Sequence, residues 1–242
     1  MLPGIVIAER PILYNRYRLG PGPWLHCDDS ARLDRIYGNG FLPLSKPHPA
    51  PQRFFAARSL RIECAVWKVE KKRRHQQRAW DRFGLHREAL PRASFLERYG
   101  EHASALATAW MEARFGTAYL DPQRLRFVLT HPMVNTVLTW SSGPHLKAFA
   151  PLIQGAWGAH YWFVFYNEAP ASPQGHGFLM DFLLWVRDEG LPFAYLGSVY
   201  GLQSLYKWRG FEGVTFREND HWCPDKERLG ALLAEDDRTS AS

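Results

Sequence analysis

The spacing of apolar residues changes from strand to helix and back to strand within one stretch of this chain, 159–197. Residues 160–166 form an aromatic and β-branched run, which predicts a buried strand. In 177–189 the apolar side chains recur three and four residues apart, which predicts an amphipathic helix that ends at Gly190. A second buried strand, 193–197, follows. This order is typical of a helix that crosses between two neighbouring strands of one sheet.

The next segment, 202–212 (LQSLYKWRGFE), resembles the part of the GNAT acyltransferase fold in which a short helix ends in Tyr and a basic residue before Gly-Phe opens the last strand. The resemblance implies that Tyr206 lies near the reacting carbonyl, as oxyanion stabiliser or acid, and that Lys207 aids a polyanionic donor. Backbone N–H groups near Gly197 and Ser198 are further candidate donors to the oxyanion of an acyl transfer. A helix end with a glycine C-cap is the structural alternative.

A dense basic run, 68–82, follows a predicted strand in the N-terminal third of the chain. Arginine forks and lysine ammonium groups suit phosphates, while amides and Trp80 suit sugar edges or a stacked base. The run therefore predicts a surface that binds a ribose-phosphate backbone. Its residues are Lys72, Arg73, Arg74, Gln76 and Arg78. A solvated basic helix face is the alternative interpretation.

Elements spread over most of the chain form a second pattern: Gly40-Phe41, Cys64, Arg74/Gln76/Arg78, 161–167, 190–197, and Tyr206-Lys207 with Phe211. The pattern is similar to that of the aminoacyl-tRNA-protein transferases of the arginyl and leucyl types. The chain departs from it in lacking the paired N-terminal cysteines and in carrying Ser204 where Met is expected. The resemblance implies a divergent member with an α+β fold, a GNAT-like mixed sheet with helices plus a smaller N-terminal α/β lobe.

Two lobes are predicted: 1–88, which carries the basic cluster, and 89–242, a GNAT-like transferase domain that begins with a long helix. A Ser-x-x-Glu capping box at Ser94 and the apolar stripe within 95–110 predict this helix. Three strands of an antiparallel meander are predicted after it, at 125–130, 134–140 and 145–153.

Charge and cysteine content limit the partners. The net charge is +6, from 30 Lys plus Arg against 24 Asp plus Glu, which permits a polyanionic partner. No apolar run is long enough to cross a bilayer and the start is not a secretory signal, so we predict a cytoplasmic protein without a membrane partner. The three cysteines have no C-x-x-C pair, and His221 with Cys223 gives only two adjacent ligands, so neither a disulfide framework nor a metal is predicted.

The loop before the predicted helix, 172–177 (SPQGHG), bears on the acyl donor. Gly175 and Gly177 match the loop that holds the diphosphate of CoA in acetyltransferases. However, Ser172 stands where a basic or amide residue is expected, and Pro173 lacks an N–H group. The loop therefore favours aminoacyl-tRNA as co-substrate, and no cofactor is predicted.

Tyr166, Glu168 and Asp181 complete the predicted donor and acceptor pocket, with Glu168 or Asp181 binding the cationic side chain or amine of a basic amino acid. For Asp181, a solvated helix residue is the alternative. The predicted function is transfer of an amino acid, arginine or leucine, from charged tRNA to the amino group of a protein or peptide. A CoA-dependent GNAT N-acetyltransferase and an inactive RNA-binding scaffold are the alternatives.

Overall fold

The fold is given by a computed structural model, which describes residues 12–13, 18–19, 24–45, 52–68, 78, 80–115, 122–167 and 175–241. The α-helices are α1 (Leu33–Gly38), α2 (Arg92–Phe115), α3 (Pro122–Thr130), α4 (Gly175–Asp188) and α5 (Lys226–Ala241). Short 3-10 helices span Ser30–Arg32 and Leu202–Lys207. Within the described ranges, no helix combines the length and the apolar character that a bilayer crossing requires.

The strands form three sheets. Two of the sheets are small, β1 (Ile12–Leu13) with β2 (Arg18–Leu19), and β3 (Trp24–His26) with β4 (Phe41–Pro43) and β5 (Arg53–Ala56). The strands of the large sheet are β6 (Ser59–Glu63), β7 (His86–Pro91), β8 (Thr136–Ser142), β9 (His145–Gly155), β10 (Gly158–Tyr161), β11 (Phe165–Tyr166), β12 (Phe193–Ser198), β13 (Val214–Glu218) and β14 (His221–Cys223).

Within the described residues, the large sheet has nine strands in the order β14-β13-β6-β12-β10-β9-β8-β7, with β11 paired to β9. Strands β10 and β12 are parallel, and helix α4 is the crossover that a parallel pair requires. The other pairs in this sheet are antiparallel. A large mixed sheet with helices is the α+β arrangement that the sequence predicts, while its GNAT-like assignment stays a prediction.

Helix α4 confirms the predicted amphipathic pattern. Its side chains Phe178, Phe182 and Val186 are at most 1% exposed, and Phe182 stacks on Tyr161 of β10 with ring centroids 4.6 Å apart. The chain leaves the helix at Gly190, whose φ of +69° is accessible to glycine without strain. The helix therefore covers one face of the sheet beside the parallel pair.

Helix α2 confirms the predicted long helix and runs through Gly100 without a break. Phe95, Ala103 and Ala107 are fully buried, and the Phe95 ring lies 5.1 Å from that of Phe149 on β9. Near the other end of the helix, Trp110 meets Phe165 of β11 edge to face. The predicted stripe is thus the face that packs on the sheet.

The predicted strand 125–130 is wrong, because these residues belong to helix α3. Leu125, Val128 and Leu129 are buried at the i, i+3, i+4 spacing of one helix face. A short apolar run fits either structure, and Pro122 at the first position favours a helix start. The meander consists instead of β7, β8, β9 and β10.

Strand β6 lies between β12 and β13, so the large sheet takes one strand from the N-terminal part of the chain. Ile62 of β6 is the register partner of both Ala194 and Val214. The boundary predicted at position 88 separates this strand from both of its neighbours. The division into two lobes stays a prediction.

Candidate active site

The parallel strands β10 and β12 pair over a short length and then part. Their register is Ala159 with Ala194 and His160 with Tyr195. Beyond this point the segment after β10 pairs with β9 through β11, whereas β12 stays paired with β6 as far as Ser198. We call the place where the carboxyl ends of these two parallel strands part the opening, since ligands bind at such ends in sheets with crossover helices.

One side of this opening carries His160, Lys207 and Gly197. His160 is 1% exposed, and its Nδ1 lies 2.8 Å from the hydroxyl of Tyr37 on α1. Its Nε2 is buried and has no hydrogen-bond partner among the described residues. An ideal Cβ built on Gly197 would lie 3.8 Å from this Nε2 and 3.8 Å from Lys207 Nζ. Because residue 197 has no side chain, both nitrogens lie beside the place that its Cβ would take, which we call the open position.

The hydrogen bond to Tyr37 fixes where the imidazole carries its proton. The Tyr37 side chain is fully buried, and its hydroxyl has no other partner among the described residues. Burial raises the pKa of Tyr37 well above its usual value, and the neighbouring Tyr195 adds to the shift, so the hydroxyl keeps its proton. Since a buried O–H without an acceptor is costly, we infer that Tyr37 donates to Nδ1. Nε2 of His160 then carries the hydrogen and faces the open position as a donor.

Burial also decides the charges of this pair. It lowers the pKa of His160 to about 3, with the positive charge of Lys207 as a smaller cause, so the imidazole is neutral at pH 7. It lowers the pKa of Lys207 from 10.5 to about 8, so the ammonium form still prevails at pH 7. Lys207 Nζ donates to the carbonyl oxygen of Ser198 at 2.7 Å. One neutral and one cationic donor therefore converge beside Gly197.

The other side of the opening carries tyrosines. Tyr206, on the 3-10 helix, is 46% exposed. The hydroxyl of Tyr161 is buried and has no hydrogen-bond partner in the described part of the chain. Burial raises the pKa of Tyr161 well above its ordinary 10.0, and the nearby groups Tyr206, Tyr166 and Asp181 add to this shift. The predicted residues Tyr206 and Tyr166 thus lie near one another, around a tyrosine that sequence reasoning missed.

Aromatic rings pack on the first turn of α4, where the predicted loop glycines lie. A Cβ on Gly175 would lie 2.8 Å from the Tyr166 hydroxyl, and one on Gly177 would overlap the ring of Trp80. Trp80 also meets Phe178 edge to face, with centroids 4.8 Å apart. These glycines therefore admit protein side chains at the place where an acetyltransferase would hold a diphosphate.

Asp181 has protein partners for both carboxylate oxygens. Arg87 lies 3.1 Å from Oδ1, and the indole N–H of Trp140 donates to Oδ2 at 2.6 Å. The same guanidinium donates to the backbone oxygen of Asp181 at 2.9 Å. These contacts tie α4 to β7 and β8. A substrate amine that bound this carboxylate would have to compete with Arg87.

Most of the predicted tRNA-binding surface lies outside the described residues. This applies to Lys72, Arg73, Arg74 and Gln76, and also to Glu168 of the pocket. Arg78 is described and exposed. Among the other predicted residues, Lys207 lies beside Gly197 and Ser198, and Tyr206 and Tyr166 both lie near Tyr161.

Sequence reasoning missed His160, Tyr161 and Tyr37. His160 and Tyr161 begin the predicted strand 160–166, whereas in the structure they close β10 and so lie where the parallel strands end. No local pattern points to Tyr37, which is 123 positions away from its partner His160.

No protein-family model matches this chain, and no curated protein sequence does. One aligned structure is the C-terminal domain (DUF2156) of a candidate lysylphosphatidylglycerol synthetase from Agrobacterium fabrum, with 15% identity, a TM-score of 0.46, and 75% of this chain and 52% of that chain covered. L-PGS from Bacillus licheniformis aligns with 14% identity, a TM-score of 0.44, and coverage of 73% and 64%. A conserved protein of unknown function from Staphylococcus epidermidis aligns with 12% identity, a TM-score of 0.35, and coverage of 79% and 67%.

The chain thus spans only 52% and 64% of the length of the first two of these proteins. With TM-scores below 0.5 and identities of 15% or less, the three alignments carry no inference about activity.

Proposed function

We propose that this chain transfers an aminoacyl group from charged tRNA to an amine. The observation that carries the proposal is the pair of nitrogens, His160 Nε2 and Lys207 Nζ, that face the open position at Gly197 where the two parallel strands part. Donors that converge on one point in a buried site suit an oxygen atom that gains negative charge. The carbonyl oxygen of an ester gains such a charge when an amine attacks it.

The reaction needs few groups, because an aminoacyl ester is already activated. The acceptor nitrogen forms a bond to the carbonyl carbon, the bond from that carbon to the terminal ribose oxygen breaks, and one proton moves from the nitrogen to the released oxygen. His160 and Lys207 donate hydrogen bonds to the carbonyl oxygen, which becomes the oxyanion. Tyr206, across the opening, donates a proton to the ribose oxygen as it leaves and takes up the proton that the acceptor nitrogen loses.

Two further observations favour tRNA over CoA as the donor. Trp80 and Tyr166 pack on the first turn of α4, and Pro173 removes an N–H group from the loop before it. The basic run that includes Lys72, Arg74 and Arg78 suits the phosphates of an RNA. A protein or peptide amine is the acceptor that we propose, with arginine or leucine as the transferred amino acid.

The test is transfer of radiolabelled amino acids from a total charged tRNA pool to peptides with varied N-terminal residues. Phosphatidylglycerol vesicles serve as a second acceptor, and a parallel reaction contains acetyl-CoA. We expect label to move from one tRNA species to peptide. Lys207→Met should slow this transfer at least about a hundredfold, whereas Lys147→Met, a change of an exposed lysine on β9, should not. Label found in lipid and not in peptide would show that the acceptor is a lipid. Turnover of acetyl-CoA without transfer from tRNA would refute the proposed tRNA donor.

A further inference from the structure

A second cluster of reactive side chains lies at the far edge of the large sheet, on the hairpin of β13 and β14. Glu218 and His221 are register partners on either side of a two-residue turn, in which Asn219 has a φ of 53°. Cys223 pairs with Phe216, two residues before Glu218, so Glu218, His221 and Cys223 point to the same face of the hairpin. Their potential ligand atoms all lie within 4.8 Å of one another.

The three side chains are a typical ligand set for a divalent transition metal. Thiolate, imidazole and carboxylate are the groups that bind Zn²⁺, and three protein ligands leave a fourth position for water. Nδ1 of His221 lies 3.5 Å from Oδ1 of Asp220. A carboxylate at one ring nitrogen orients a histidine so that the other nitrogen faces the metal.

Charges of both signs surround the cluster. The carboxylates of Glu218 and Asp220 are negative, and the guanidinium groups of Arg228 and Arg217 lie near them. Both contacts of Arg228 go to the same oxygen of Glu218, with Nε at 2.9 Å and Nη2 at 2.8 Å. The other oxygen of Glu218 remains for a metal, and Arg228 competes with the metal for the negative charge of this carboxylate.

We propose that Glu218, His221 and Cys223 bind one Zn²⁺ ion or a similar divalent transition metal. The site is separate from the opening between β10 and β12, and it does not depend on the proposed transfer reaction. The bound ion joins the two strands of the hairpin beyond their backbone hydrogen bonds. We therefore expect the metal to raise the melting temperature of the chain.

The test uses Co²⁺ as a probe on the full chain. We expect one equivalent of Co²⁺ to produce the absorption of a thiolate-bound metal, and Zn²⁺ to displace it. His221→Asn and Cys223→Ser are each expected to weaken binding at least about tenfold. The matched controls are His145→Asn, an exposed histidine of β9, and Cys27→Ser, a thiol in the small sheet region, and both should bind as the wild type does.

Arg228→Gln sharpens the test because it removes the cation beside Glu218. We expect this variant to bind Co²⁺ more tightly than the wild type, a gain that loss of folding would not produce. Failure of the wild type to give the thiolate absorption, or its persistence in either ligand variant, would overturn the proposal. An unchanged affinity of Arg228→Gln for Co²⁺ would contradict the proposal that Arg228 and the metal contact the same carboxylate.

Discussion

Asp181 and His160 are polar residues that lie on opposite sides of the large sheet at strand β10. Asp181 is on α4, the helix that contacts Tyr161, and His160, the preceding residue of β10, faces Tyr37 on the other side. Both oxygens of Asp181 have protein partners, whereas Nε2 of His160 has none among the described residues. Most buried polar atoms are hydrogen-bonded, so the contrast supports a structural role for Asp181 and the donor role that we propose for His160.

Replacement of Lys207 has the largest expected effect. If Lys207 were not needed for turnover, the contrast between His160 and Asp181 would not hold. Lys207→Met should lower kcat for aminoacyl transfer between about a hundredfold and a thousandfold, because one donor to the oxyanion is lost. Circular dichroism should show an unchanged fold. Steady-state kinetics measures the effect, and equal kcat in Lys207→Met and Lys147→Met would contradict the assignment.

Asp181→Ala tests the structural side of the comparison. It should lower the free energy of unfolding by about 3 kcal/mol, because Arg87 and Trp140 lose their acceptor in a largely buried place. Asp188→Ala is the control, since this carboxylate is 52% exposed and lies 3.6 Å from the same guanidinium. It should cost less than about 1 kcal/mol in urea unfolding. Similar losses in both variants would argue against the distinction.

Tyr37→Phe removes the group that holds the imidazole proton on Nε2. We expect kcat to fall about tenfold with little change in KM, and the free energy of unfolding to fall by about 1 kcal/mol. Nitrogen NMR of His160 should show a shift in the population of the two tautomers. An unchanged tautomer would contradict the inferred direction of the hydrogen bond.

Gly197→Ala places a methyl group between His160 Nε2 and Lys207 Nζ. Because residue 197 has a φ of +75°, the free energy of unfolding of this variant should also fall by about 1 kcal/mol through backbone strain. Gly143→Ala carries the same kind of strain, at a φ of +57°, but its methyl group would meet nothing within 4 Å. Both variants should lose similar stability, and only Gly197→Ala should lose transfer activity. Equal activities would show that the open position is not used.

The burial of Lys207 also predicts a pH dependence of stability. The pKa of Lys207 is about 8 in the folded chain and 10.5 without burial, so between these values the unfolded chain binds more protons. The stability should therefore rise as the pH increases from about 8 to 10.5. Lys207→Met should lack this part of the rise. Urea unfolding of both proteins at several pH values in this window would measure the difference, and parallel curves would contradict the low pKa.

Local sequence patterns predicted the elements in which apolar side chains recur at a regular spacing. Helices α2 and α4 follow from the spacing of their apolar side chains, whereas the short run 125–130 fits helix and strand equally. Tyr206 and Lys207 were found from a motif that places them in one turn. Tyr37 depends on a contact across 123 positions, and Glu218 joins His221 and Cys223 only when the hairpin forms. Such contacts leave no signal in neighbouring residues.

The place of β6 has a consequence for the order in which the chain folds. During synthesis β6 leaves the ribosome well before β12 and β13, which later flank it. Its backbone N–H and C=O groups therefore cannot pair with these two strands until more than a hundred further residues have been synthesised. Long-range pairing of this kind slows folding, since a large loop has to close before the contact forms. The sheet next to the opening should thus be the last part of the molecule to become complete.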